Sequence, residues 1–206
     1  MESVIKKKGR TVLISTMLVA AGLLVSTADA QTTGASGNQI GPVGDGSPAQ
    51  VALNVILKPV RTLTVSHDQI NLVYETANDY ENGVSYTTTG GHLHVTNIGG
   101  GYKLFVKSST PNLLGENGNQ NTIDGSTVTI TGLAQSGVYA YSRKINDING
   151  GTNGAELFHH SENANVVDKA YDVEYKAAGD NAYMNKLFNG QQTKYTVNVV
   201  YTIVSE

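Results

Sequence analysis

YTVNVVYTI, residues 195–203, decides the fold. Tyr195, Val197, Val199, Tyr201 and Ile203 occupy every second position, with Thr196, Asn198, Val200 and Thr202 between them. Successive side chains of a strand point to opposite faces, so this alternation describes a strand with one face buried. The run carries no charged residue and stops just short of the last residue given. It is expected to be a structural member, either central in a sheet or the edge at which another strand pairs.

The same period recurs upstream. Val51, Leu53, Val55 and Leu57 alternate with Ala52, Asn54, Ile56 and Lys58, and Pro59 stops the run. Leu63 and Val65 follow, then Ile70, Leu72 and Tyr74, then Leu93 and Val95 between His92 and His94. Tyr102, Leu104 and Val106, the run around Val128 and Ile130, Tyr139 with Tyr141, and Tyr171, Val173 and Tyr175 complete the series. Turn residues separate them: Asn82-Gly83 and Gly90-Gly91 within 76–91, Gly99-Gly100-Gly101, and the Asn/Gly-rich stretches 111–125 and 146–154. One helical turn is expected near 182–188, and nothing longer. Many short strands at this spacing predict an all-β chain folded as an immunoglobulin-like antiparallel β-sandwich. A closed barrel is the alternative.

The first thirty residues read differently. Lys6, Lys7, Lys8 and Arg10 precede an apolar run from Thr11 to about Val25, followed by Ala28-Asp29-Ala30. That is the pattern of a secretory signal peptide, with cleavage after Ala30 and Gln31 as the first mature residue. The apolar run is shorter than the roughly 20 residues a membrane-spanning helix needs, and no second long apolar run follows, so no span is expected after cleavage. Residues 31–48 form a polar, Gly-rich leader, and residues 49–206 form a single domain.

Composition removes several classes of function. The chain has no cysteine, which excludes disulfides, thiol catalysis and thiolate metal sites together. The formal charge is −3, and removal of the basic signal makes it more acidic. That argues against nucleic acid as a partner. Tyr outnumbers Phe by 11 to 3, which suits strands whose rings face the core and whose hydroxyls reach the rim.

Few residues suggest chemistry. His92 and His94 lie two apart and are expected on the solvent face, opposite Leu93 and Val95; two imidazoles hold a metal only with further ligands. His159 and His160 are adjacent and should point apart. Asp147 and Asn149 begin with calcium-loop spacing, but Gly151, Thr152 and Phe158 stand where the remaining pattern needs an Asx, a Gly and a Glu. No G-x-S-x-G elbow is present, and no Gly-rich stretch opens a helix to cradle phosphate. No catalytic residue, cofactor or metal ligand is assigned.

Four segments carry a resemblance: VALNVILKPVRTLTV (51–65), DYENGV (79–84), HLHVTNIGGGYKLFVKSS (92–109) and the run 171–203. In their order they resemble a family of small exported proteins of Bacteroidota-type bacteria, with the character of pilin and spore-coat β-sandwich subunits. The resemblance implies a pilin-like sandwich, no catalytic residue, and a place in the periplasm or on the surface of a Gram-negative cell. It also implies assembly by strand addition. The leader 31–48 is too polar to act as the added strand, and the usual pilin cysteine pair is absent. Val51, Leu53, Val55 and Leu57 have the alternation that strand exchange needs, although the same segment would also serve as the domain's own first strand.

The expected function is therefore that of a non-enzymatic structural or adhesive protein, self-associating or binding other surface proteins. A glycan- or calcium-binding module using the loops 112–125 and 146–154 is the alternative. A secreted hydrolase is the third reading, and it would need two carboxylates, or a Ser–His pair, facing one another across a cleft.

Overall fold

The computed structural model describes residues 50–161 and 164–206. Ala28, Ala30, Gln31 and the leader lie outside them. Leu53–Glu206 form one compact unit, and its regular structure begins at Val60. The fold is an all-β antiparallel sandwich.

The strands are β1 (Val60–Val65), β2 (Val84–Thr87), β3 (Leu93–Ile98), β4 (Tyr102–Ser108), β5 (Asn112–Gly115), β6 (Thr122–Asp124) and β7 (Val128–Gly132). They continue as β8 (Val138–Ala140), β9 (Ser142–Lys144), β10 (Ala155–His160), β11 (Val166–Tyr171), β12 (Val173–Ala177), β13 (Tyr195–Thr196) and β14 (Val199–Ser205). The sheets run β1-β3-β11, β2-β12-β7-β9, β14-β4-β10-β8 and β13-β5-β6. Two strand runs tie them together. β11 and β12 form one run interrupted only at Asp172. β8 and β9 meet at Tyr141, whose carbonyl accepts from Gly132 and whose N–H donates to Leu157.

The core lies between the facing layers. Leu93, Val95, Ile130, Tyr171 and Val173 pack against Tyr102, Leu104, Val106 and Phe158, all at most 1% exposed. Phe158 lies 4.9 Å from Tyr171, centroid to centroid. The hydroxyls of Tyr102 and Tyr171 bond each other inside the core. Gly132 makes room for Phe158: a β-carbon there would stand 2.7 Å from the ring, closer than packed atoms sit.

Several expectations change. A short helix, α1 (Ala77–Asn82), fills the expected turn, because Thr76 and Asp79 form a reciprocal capping box. The turn expected at 182–188 is a 3₁₀ helix at Met184–Lys186. The Asn/Gly stretch 111–125 contains β5 and β6, which alternation did not flag. Residues 195–203 do not form one strand: β13 pairs with β5, and β14 joins β4.

The sharpest correction concerns His92. It is 1% exposed and not on a solvent face, because it precedes β3, outside the strand's strict alternation. Its N–H donates to Tyr171 O, and its ring turns inward among tyrosines.

Candidate functional site

Val51, Leu53, Val55, Ile56 and Leu57 are each 79–90% exposed. Residues 51–57 belong to no strand and make no ladder. Burying a side chain of this kind is worth about 1.5–3 kcal/mol relative to leaving it in water. These five are the most exposed large apolar side chains among the described residues. This arm is not the domain's own first strand; β1 is. Pro59 ends the arm and packs at the β3–β4 turn, where a β-carbon on Gly99 would lie 3.1 Å from Pro59 Cβ.

A sheet edge accompanies the arm. β14 pairs over its whole length with β4, from Val199↔Ser108 to Ser205↔Tyr102, and among the described residues it is the outermost strand of its sheet. Asn198 O accepts from Ser109 N–H at 2.9 Å, and Glu206 N–H donates to Gly101 O at 3.1 Å. Antiparallel backbones alternate between facing their partner and facing away. The peptide groups of Val200, Thr202 and Val204 therefore face β4. Those of Val199, Tyr201 and Ile203 face the open side, and their side chains are partly buried against the core.

The stretch 67–75, which follows β1, also carries strand-like alternation. Ile70, Leu72 and Tyr74 point inward and pack on the core, as their alternation predicts. Among the described residues no backbone–backbone hydrogen bond involves residues 67–75. The stretch has strand-like patterning without a strand partner. Side chains hold it: the Tyr74 hydroxyl donates to Ala178 O at 2.7 Å, and the Tyr74 ring meets those of Tyr80 and Tyr183 at 5.2 and 5.1 Å.

A polar chain links Tyr201 of β14 to His67. Tyr201 and Tyr175 share a hydroxyl–hydroxyl bond, the Tyr175 hydroxyl lies 2.7 Å from His92 Nε2, and His92 Nδ1 lies 3.3 Å from His67 Nδ1. One arrangement of hydrogens satisfies every group. Tyr201 donates to Tyr175, Tyr175 donates to Nε2 of a neutral His92, and His92 Nδ1–H donates to His67. Burial, with the His67 imidazole beside it, pushes the His92 pKa down to about 4. Burial raises Tyr175 to about 12 and Tyr201 well above its ordinary value. His67, His92, Tyr175 and Tyr201 were not singled out as a group by sequence, since four separate segments supply them.

The remaining candidates do not converge. His94 Nδ1 pairs with Asp168 Oδ1 at 2.9 Å, away from the partners of His92. His159 and His160 do point apart: His159 Nε2 meets Glu206 Oε1 at 2.7 Å, and His160 stacks on Tyr102. Four Asx side chains of the two loops are engaged in hydrogen bonds to the backbone. Asn112 Oδ1 accepts from Gly125 N–H, Asp124 from Ser126 N–H and Asn119 from Asn121 N–H, while Asn149 donates to Ser108 O. Among the described residues no group of three or more His, Asp and Glu side chains is placed to hold a metal ion. Among them, too, no helix is long and apolar enough to cross a membrane. No known family, curated protein or solved structure matches this chain.

Proposed function

We propose that the protein is an exported, non-enzymatic structural subunit of the cell surface or periplasm, and that it assembles head to tail by strand addition. The exposed apolar arm carries this reading. Residues 51–57 of one copy lie along β14 of the next, with Val51, Leu53, Val55 and Leu57 turned onto the partly buried core and Asn54 and Ile56 outward. The free peptide groups of Val199, Tyr201 and Ile203 supply the hydrogen bonds, as in other cases of β-augmentation. The signal-peptide pattern at residues 1–31 supports export.

Addition of the arm to its own β14 is disfavoured. The chain would have to reverse at Lys58-Pro59. A two-residue hairpin of type I′ needs positive φ at both positions, which proline's fixed φ forbids. Type II′ needs it at Lys58, a non-glycine residue. A contact between two different surfaces then continues from copy to copy.

Light scattering on the purified exported protein tests the reading. Polymeric species are expected, and Leu53→Asp with Val55→Asp should leave a folded monomer. A wild-type protein that stays monomeric at high concentration rejects the proposal.

A further inference from the structure

The arm stands apart from the ladders that hold the domain. Regular pairing begins at Val60, opposite Ile98. Among the described residues no backbone–backbone hydrogen bond involves residues 51–59, and the five large aliphatic side chains of the arm are 79–90% exposed. A protease cuts where exposed backbone can enter its cleft, so this segment is open to cleavage without any unfolding. The paired strands are cut only in the fraction of molecules that have opened. We propose that residues 51–57 are a trimming site for an endoprotease whose S1 pocket takes an aliphatic side chain, and that the cut turns a copy into a chain terminator. The second half rests on the strand-addition reading.

The sequence sets the class of protease. No Lys or Arg lies between Thr11 and Leu57. Lys58 follows the arm, but the bond after it leads into Pro59, whose fixed φ and missing N–H make it a poor substrate. Arg61 comes next. It lies in β1 opposite Asn97, and its Nε donates to Asn97 Oδ1 at 2.9 Å. A Lys- or Arg-specific protease therefore finds no open bond here, while one that accepts Leu, Val or Ile finds several. The strongest competing segment is Leu187-Phe188, which is exposed outside any strand. It is closed on itself: Phe188 N–H donates to Thr193 Oγ1 at 2.8 Å, and Phe188 O accepts from Gln191 N–H at 3.1 Å.

Cleavage adds water across one peptide bond and leaves a carboxylate on one side and an amine on the other. The cut copy keeps β1 with its pairing to β3, and it keeps β14 with the open side of Val199, Tyr201 and Ile203. It loses the apolar alternation that adds to a neighbour's edge. Such a copy accepts an arm and offers none, so a head-to-tail chain that receives it stops growing there. An arm already paired in the assembly is a ladder strand and resists the protease, so trimming selects copies that have not yet donated.

The test uses the intact exported protein, diluted until light scattering shows single copies. Pancreatic elastase is the probe for aliphatic cleavage and trypsin the probe for basic cleavage. Elastase should give one stable product whose first residue lies between Ala52 and Lys58 by intact mass, with the near-ultraviolet circular dichroism and Tm of the uncut protein. Trypsin should leave residues 51–57 attached. Val55→Lys places a basic residue on the arm, and trypsin should then cut after it. Elastase cuts within residues 60–206 that precede those in the arm, a Tm that falls with the cut, or a trypsin-resistant Val55→Lys overturns the trimming site. Trimmed protein is then mixed with full-length protein at assembling concentration. Mean polymer size should fall as the trimmed share rises. Unchanged size overturns the terminator while leaving strand addition standing. Absence of polymer from the full-length protein alone instead removes the strand-addition reading, and the terminator with it.

Discussion

β11 and β14 are both outer strands, and they treat their exposed sides in opposite ways. β11 is irregular. Its pairing with β3 shifts between Val166 and Lys169, and Asp168 there adopts φ 51°. Asp168 binds His94 by its side chain and takes Thr96 Oγ1 on its N–H, so the strand presents a kink and two charged residues to solvent. β14 is regular over seven residues and carries no charge. A bulge and charges are the usual means of keeping an edge from pairing with another chain. The molecule applies them to one edge and withholds them from the other, and it carries an unsatisfied strand-like arm as well. The contrast separates a protected edge from one left available.

The largest effect should come from the arm. Leu53→Asp with Val55→Asp places two carboxylates where apolar side chains meet the core, and assembly should be abolished, not merely weakened. Monomer stability should change by no more than about 0.5 kcal/mol, because both residues are exposed in the single copy. Sedimentation and thermal melts, run together, check both halves. A large fall in melting temperature would mean that the arm supports its own domain.

Paired proline substitutions sharpen the comparison on β14 itself. Val199→Pro removes an N–H that faces the open side, at the first residue of the strand, where proline is tolerated. Val200→Pro removes one that faces β4. The first should weaken assembly and leave a folded monomer. The second should destabilise the domain by about 1–3 kcal/mol, the cost of an unpaired ladder group, lowering Tm by roughly 2–4 °C per kcal/mol for a chain of this size. The reverse assignment of effects would place β4 on the wrong side of the alternation.

Acid tests the buried imidazole of His92. His92 has a pKa lowered from 6.5 to about 4, so the unfolded chain binds its proton more readily than the folded one. The stability this contributes is fully present above pH 6.5 and is lost as pH falls from 6.5 toward 4. Tm should decline across that window in wild type and more shallowly in His92→Gln. Parallel declines would show that other groups control the acid response.

How much of this was legible in the sequence depends on where hydrogen bonds go. Alternation located β1, β3, β4, β7, β12 and β14, because a half-buried strand writes its period into its own residues. The same signal ran through Val51–Leu57 and Ile70–Tyr74, which have the pattern and lack the partner. Side-chain period reports which face is apolar and says nothing of whether a neighbouring strand exists. β5, β6, β10 and β11 were missed for the opposite reason: β5 and β6 are short and lie in an Asn/Gly-rich stretch, and β10 and β11 are bulged and pair with strands distant in sequence. The His67–His92–Tyr175–Tyr201 chain was invisible because only the fold brings its four segments together. Thr76 and Asp79, by contrast, did carry a readable capping signal, and it was overlooked among the turn residues around it.

The smallest effect belongs to the protected edge. Asp168→Gly removes the carboxylate that pairs with His94 and at the same time relieves a positive φ that costs a non-glycine residue about 1 kcal/mol. An exposed ion pair is worth about as much, so the two changes should nearly cancel and Tm should move by no more than a few degrees. The bulge is set by the register between Val166 and Lys169, and a glycine keeps it. β11 should therefore stay inert, with no new oligomer in light scattering. If Asp168→Gly instead creates aggregates that persist when the arm carries its two aspartates, the charge at position 168 guards this edge, and the backbone kink alone is insufficient.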